Sequence, residues 1–239
     1  MVSNSGSALI VKDVTKIFKV RKRYPGKLFS TPTEVLGIHN INLRVGPGDV
    51  VGLIGANGSG KSTLLKIMSG ALQPTSGKVM APFRPRLISL TGLRLPNLSV
   101  LENTEIMLRA HGRGKNETRL EALELIDQAD LSDKTFLPYD TLSTGMKARL
   151  GFFLATINQP EILLMDEMLS VADKRFQDKA RNIISTMMTK AQGVVIASHS
   201  HRTIEENCNV AIVLHKGSVV FSGATSDALD FYSEVKQWG

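Results

Sequence analysis

Residues Gly55, Ala56, Asn57, Gly58, Ser59, Gly60, Lys61 and Ser62 spell a G-x-x-x-x-G-K-S segment directly after the apolar run at positions 50–54. These are the residue types that a nucleoside triphosphate requires. Glycines let successive backbone N–H groups turn inward on the β-phosphate, and a helix opening near Lys61 aims the positive end of its dipole at the same anion. Lys61 reaches the β- and γ-phosphates, and Ser62 offers a hydroxyl to the Mg²⁺ that bridges them. Thr63 and the residues to Met68 continue with helical spacing. The loop therefore stands between a strand and a helix, where a phosphate cradle works.

A second group follows at Ile162-Leu163-Leu164-Met165-Asp166-Glu167, a buried-type strand ending in two carboxylates. In open α/β sheets ligands collect at the C-terminal ends of parallel strands. Asp166 is placed to hold the Mg²⁺ shell, and Glu167 to polarise the water that attacks a γ-phosphate. The alternative reading of the pair is a cap on the following helix.

The elements that must position these groups are readable in outline. Runs at 8–14, 41–45 and 50–54 predict short strands, with a turn at 46–49. Between the first two lies a basic stretch, 19–27, broken by Pro25 and Gly26. It predicts an exposed loop, either simply solvated or meeting anionic lipid or a partner chain. A strand-like segment at 86–90 precedes a helical region from about Val100 to about Leu131, whose apolar residues recur at helical spacing. Beyond Glu161 the pattern alternates strand, helix, strand: 162–165, then Lys174 to about Lys190, then 194–197. That alternation predicts a parallel sheet with crossover helices.

Bulk properties set limits. A chain of 239 residues fits one α/β domain with a smaller lobe. No apolar run reaches the roughly 18 to 20 residues of a membrane span, and the amino terminus lacks a signal segment. The chain itself is expected to be soluble. A single cysteine, Cys208, excludes an internal disulfide framework and fits packing in a reducing compartment. The net charge of +7 suits nucleic acid, anionic lipid or a nucleotide-binding surface, and does not choose among them.

Leu142-Ser143-Thr144-Gly145-Met146 opens a predicted helix at Lys147, so Ser143 and the N–H groups near Gly145 sit at a helix N-terminus and suit a γ-phosphate. The order of phosphate loop, L-S-x-G-x signature, Asp-Glu strand and Ser198-His199 after a strand resembles that of ABC transporter nucleotide-binding domains, over nearly the whole chain. The resemblance implies an α/β P-loop NTPase, with a RecA-like, mostly parallel sheet, an antiparallel β-subdomain and a helical subdomain. It implies a single ATPase domain over 1–239, with core and β-subdomain at 1–88 and 155–239 and the helical subdomain at 89–154. ATP and Mg²⁺ are the implied cofactors. Ser143, Thr144 and Gly145 would clasp the nucleotide of the opposite subunit, so that a homodimer sandwiches two ATP molecules. His199 resembles the family's switch histidine and is preferred over His201. Asp173 resembles the polar contact of the loop that couples the two sites. Phe18 is the best match for the aromatic residue that stacks on adenine, with Tyr24 second and a core role for Phe18 as the alternative.

One departure is informative. Many relatives place a glutamine just before the helical lobe, and this chain has none there; Ser89 or Thr91 would substitute weakly. The signature block L-S-T-G-M-K-A-R-L-G-F, with S-V-A-D-K-R-F-Q-D-K, resembles ATPases that export bacterial surface polysaccharides: O antigen, capsule and teichoic acid. The implied function is an ATPase that drives a separately encoded integral membrane channel exporting a lipid-linked glycan. It would sit peripherally on the cytoplasmic face of the bacterial plasma membrane. The carbohydrate-binding domain that follows some O-antigen ATPases is expected to be absent, since the sequence stops at Gly239. The rival readings are a soluble ABC ATPase acting on nucleic acid or the ribosome, and an exporter of another cargo. The first generally carries two cassettes or long insertions, so no nucleic-acid partner is expected.

Overall fold

The computed structural model describes residues 8–22, 31–88, 95–166 and 174–235. In chain order the elements are β1 (Leu9–Lys22), β2 (Thr31–Val45), β3 (Asp49–Ile54), α1 (Lys61–Met68), β4 (Ser76–Met80), β5 (Arg86–Ile88), α2 (Val100–Ala110), α3 (Thr118–Gln128), α4 (Thr144–Thr156), β6 (Ile162–Asp166), α5 (Lys174–Lys190), β7 (Gly193–Ala197), α6 (His201–Asn207), β8 (Val210–His215), β9 (Ser218–Ala224) and α7 (Thr225–Val235). Their contacts form two compact units. One holds β1 to β4, β5 as far as Leu87, β6 to β9, α1, α6 and α7; the other holds α2 to α4 and α5 as far as Thr189.

The first unit contains two sheets. A six-stranded sheet runs β5-β6-β7-β3-β8-β9, and a three-stranded sheet runs β2-β1-β4. Strand β3 is flanked in parallel by β7 and β8, and β7 by β6. The sequences explain the orientation. Strands β6 and β7 are buried along nearly their full length and β3 is buried from Val51 onward, as in a parallel strand covered on both faces. Leu53, Ala197 and Asp166 are cross-strand partners. The C-terminal ends of β3, β7 and β6 consequently lie abreast. Helix α1 buries Leu64, Leu65, Ile67 and Met68 in the same core that holds Leu53, Ile162 and Val195.

The β1–β2 pair is longer than its sequence suggests. Lys19 to Lys22 belong to β1 instead of a loop, paired Lys19 to Glu34 and Val20 to Thr33, and β2 begins at Thr31. Period-two alternation through Phe18-Lys19-Val20-Arg21 and an opposite-charge pair across the strands outweigh the basic composition. Of the expected loop, residues 23–27 lie outside the described residues, as does Tyr24.

In the second unit, α2 opens with a reciprocal cap. The Ser99 Oγ accepts from Glu102 N at 3.2 Å, and the Glu102 carboxylate accepts from Ser99 N at 2.8 Å and from Ser99 Oγ at 2.7 Å. These bonds hold the Glu102 carboxyl below its ordinary range. The helical region expected from 100 to 131 is two helices, because the α2 carbonyls are taken up at its end by His111 N, Gly112 N and Arg113 N. Helix α5 groups with this unit, beyond the 89–154 expected for the helical part. Its Phe176 meets Phe152 and Phe153 edge to face, with ring centroids 5.4 and 6.0 Å apart. Aromatic contacts of that geometry add to area burial and fix the α4–α5 packing.

Candidate phosphate-binding site

The apolar strand β3 delivers the chain to Gly55, and Ser59 N donates to Ala56 O at 3.1 Å to turn it. Gly60 is the N-cap of α1, at φ 108°, a conformation open to glycine and strained for other residues. This cap differs from those of α2, α4 and α6, where a serine hydroxyl accepts a first-turn N–H. In α1 no side chain does so, and its first turn holds no acid. The N–H groups at the start of α1 thus point at a place where an anion would satisfy them. Lys61 is 8 % exposed, and its ammonium donates to Gly55 O at 2.6 Å and Ala56 O at 3.0 Å. Ala56, Asn57, Gly58 and Ser62 are exposed at the rim, with Thr63 half-buried behind them. The Ser59 Oγ is buried with no hydrogen-bond partner among the described residues.

The sheet edge brings the second group alongside. Asp166 is the last residue of β6 and is half-buried. Two strand spacings, about 10 Å, separate β6 from β3. Between them, Ser198 N donates to Leu53 O at 3.2 Å, and Ser200 N bends back onto Ser198 Oγ at 3.0 Å. That bend carries His199 to the exposed edge. His201, one residue into α6, is instead packed, its ring 5.5 Å from Tyr232. The Ser62 hydroxyl at the head of α1 and the Asp166 carboxylate suit Mg²⁺, which takes one or two protein oxygens and completes its shell with phosphate and water. Among the described residues no cluster of three or more His, Cys, Asp or Glu would hold a metal without such a substrate.

Phe18 lies half-buried on β1 in an open cleft of about 480 Å³, with Lys16, Glu34, Leu72 and Thr75 among its walls. The Lys16 ammonium stands 5.6 Å from the ring centroid and donates to Gln73 O. In the second unit, Ser143 is the N-cap of α4 and is exposed with Thr144, while Gly145 is half-buried. Its Oγ accepts from Met146 N at 3.2 Å, which leaves the hydroxyl proton to donate to an anion. Glu167, Asp173, Ser89 and Thr91 lie outside the described residues. Burial pushes the Cys208 thiol up to about 12, away from the thiolate that reactivity needs.

Residues 38–170 match the ABC transporter family. The chain belongs to that family. It is 37% identical over 238 residues to the teichoic acids export ATP-binding protein TagH of Levilactobacillus brevis, covering 95% of this chain and 65% of that protein. It is 34% identical over 202 residues to TagH of Listeria innocua, covering 84% and 60% respectively. The chain thus spans less than two thirds of the length of these relatives. Among solved structures, an ATP-binding cassette in a dimeric post-hydrolysis state bound to ADP and Pi superposes with a TM-score of 0.71 at 25% identity, covering 91% of this chain and 98% of that one. The ATP-binding subunit of an ABC transporter gives 0.72 at 22% identity, covering 95% and 94%, a likeness of fold alone. This ABC cassette therefore has the expected α/β P-loop NTPase architecture.

Proposed function

We propose that this cassette is the ATP-binding and ATP-hydrolysing subunit of an exporter that moves a lipid-linked cell-surface polysaccharide, of the teichoic acid type, through a separate membrane subunit. The observation that carries the reading is the sheet edge. An uncapped helix start with its lysine, a strand-end aspartate and an exposed histidine are brought there by three adjacent parallel strands. The names of the relatives support the cargo class.

In this reading the loop N–H groups and Lys61 hold the β- and γ-phosphates of ATP, with Ser62 and Asp166 on Mg²⁺. The metal, when bound, neutralises phosphate charge. Glu167 takes a proton from water as its oxygen attacks the γ-phosphorus and the bond to the ADP oxygen breaks, and His199 orients that water. Ser143, Thr144 and Gly145 of a second copy cover the γ-phosphate, so the working state is a homodimer. Asp173 links the two sites, and Phe18 stacks on adenine. The chain acts as one ATPase domain whose helical part meets the membrane subunit at the cytoplasmic face. Among the described residues no helix is long and apolar enough to cross a membrane. ATP prefers the closed dimer and shifts the equilibrium by that preference alone, which supplies the stroke.

Depleting the protein in its own cells tests the cargo. The expected result is loss of surface glycan with lipid-linked glycan retained on the inner side. Unchanged surface glycan, or a protein that purifies with RNA and not with a membrane protein, contradicts the assignment.

A further inference from the structure

A loop that turns its N–H groups inward on a phosphate must turn carbonyls outward, and each outward carbonyl away from water needs a donor. For Ser59 the donor comes from far along the sequence. Strand β8 runs parallel to β3 with Ile54 opposite Val213, so the residues after Val213 lie beside the phosphate loop. There β8 turns into β9 through Lys216 and Gly217, with His215 opposite Ser218 and both central residues at positive φ, 45° and 84°. Positive φ at both positions marks the tight hairpin turn whose twist suits its strands. Gly217 N donates to Ser59 O at 3.1 Å, and Gly217 O accepts from His39 N at 2.7 Å. The turn is therefore bonded on one side to the phosphate loop and on the other to β2. Space is equally tight. A Cβ on Gly217 would stand 2.9 Å from Gly37 O and 3.2 Å from the Ile38 Cα, both backbone atoms; a Cβ on Gly60 would stand 2.6 Å from Ile38 Cγ2 and 3.7 Å from the Gly217 Cα.

We propose that the Lys216–Gly217 turn is a positioning element of the nucleotide site, and that Gly217 fixes the loop in its phosphate-accepting shape by holding the Ser59 carbonyl outward. This rests on the reading of 55–62 as the ATP phosphate cradle. Gly217 touches no substrate; it acts through Ser59 and Gly60. A side chain at 217 must push the turn off Gly37 and Ile38, taking the donor away from Ser59.

The test pairs G217A with G48A. Gly48 has nearly the same φ, 81°, with nothing among the described residues within 4 Å of an added Cβ, and it precedes β3 at the opposite end from the loop. Both substitutions carry similar backbone strain, but only Gly217 is bonded to the 55–62 loop. Thermal melting, steady-state ATP hydrolysis and titration with inorganic tripolyphosphate, a probe with no base or sugar, are measured on both. Both variants melt lower than the parent. G217A alone raises the KM for ATP and the Kd for tripolyphosphate by about tenfold or more, as displaced positioning groups do. Its kcat at saturation stays within about threefold, the pattern of lost uniform binding. Unchanged KM and Kd in G217A overturn the proposal and leave the cradle reading standing. If K61A and the parent bind tripolyphosphate equally, the cradle reading itself fails. Should G217A not fold, amide exchange in the parent protein decides. The Gly217 N–H exchanges slowly, and more slowly with tripolyphosphate present; a rate indifferent to tripolyphosphate overturns the proposal.

Discussion

Replacing Glu167 by glutamine lowers the turnover number for ATP by about 10³-fold while nucleotide affinity stays near that of the parent protein. The size follows from the role: a positioned general base contributes roughly 10² to 10⁴ in rate. Glutamine keeps the shape and one hydrogen-bonding oxygen but cannot take the proton. Asp166, the preceding residue, is aligned with Ala197 and through it with Leu53, so its carboxylate, proposed to hold the metal, and the 55–62 loop are left untouched. With hydrolysis stopped and binding intact, E167Q should accumulate as an ATP-loaded dimer. The check is turnover at saturating ATP beside nucleotide retention on a sizing column. Hydrolysis at the parent rate removes Glu167 from the base position and moves attention to His199.

Lys61→Ala is the other large effect, a loss of about 10² to 10³ in kcat, the range for removing one preorganised donor to developing charge. The structure gives the reason. A buried ammonium is held by two carbonyls of its own loop, Gly55 O and Ala56 O. Those bonds hold the cation over the 55–62 loop, where the proposed function has phosphate oxygens take their place. Arginine should not rescue, because a planar fork does not reproduce a compact point charge at this spacing. The measurement is kcat and ATP affinity for K61A and K61R. Activity within a few-fold of the parent in either variant would show that the lysine is structural.

Where the candidate groups stand in the fold was largely legible in the sequence because their signals are local. Eight consecutive residues define the cradle, an apolar run on either side of it names the strand and the helix, and two further apolar strands ending in Asp166 and Ser198-His199 declare a shared sheet edge. Ser143 was legible for the same reason: it is an N-cap, and a cap is a matter of three neighbouring residues. What stayed hidden depends on pairing across the chain. Lys19 to Lys22 look like a solvated loop until Glu34 and Thr33 are placed opposite them. Helix α5 looks like an ordinary crossover helix until Phe176 is found edge-on to Phe152 and Phe153. The Gly217–Ser59 bond has no local signature, since a tight turn between two strands reads alike wherever it lies. Sequence spacing locates the groups proposed to touch substrate, and pairing across the chain decides what holds them still.

The central claim is that each ATP is enclosed by two chains, Lys61 of one and Ser143 of the other. Mixing two defective proteins tests it directly. K61A retains an intact Ser143, and S143R, whose bulk blocks the helix tip, retains an intact Lys61. Each alone should hydrolyse ATP only at background. Mixed in equal amounts they form heterodimers in which one site joins the good lysine to the good serine, and hydrolysis should reappear well above the sum of the two. A mixture no more active than that sum would contradict a shared site.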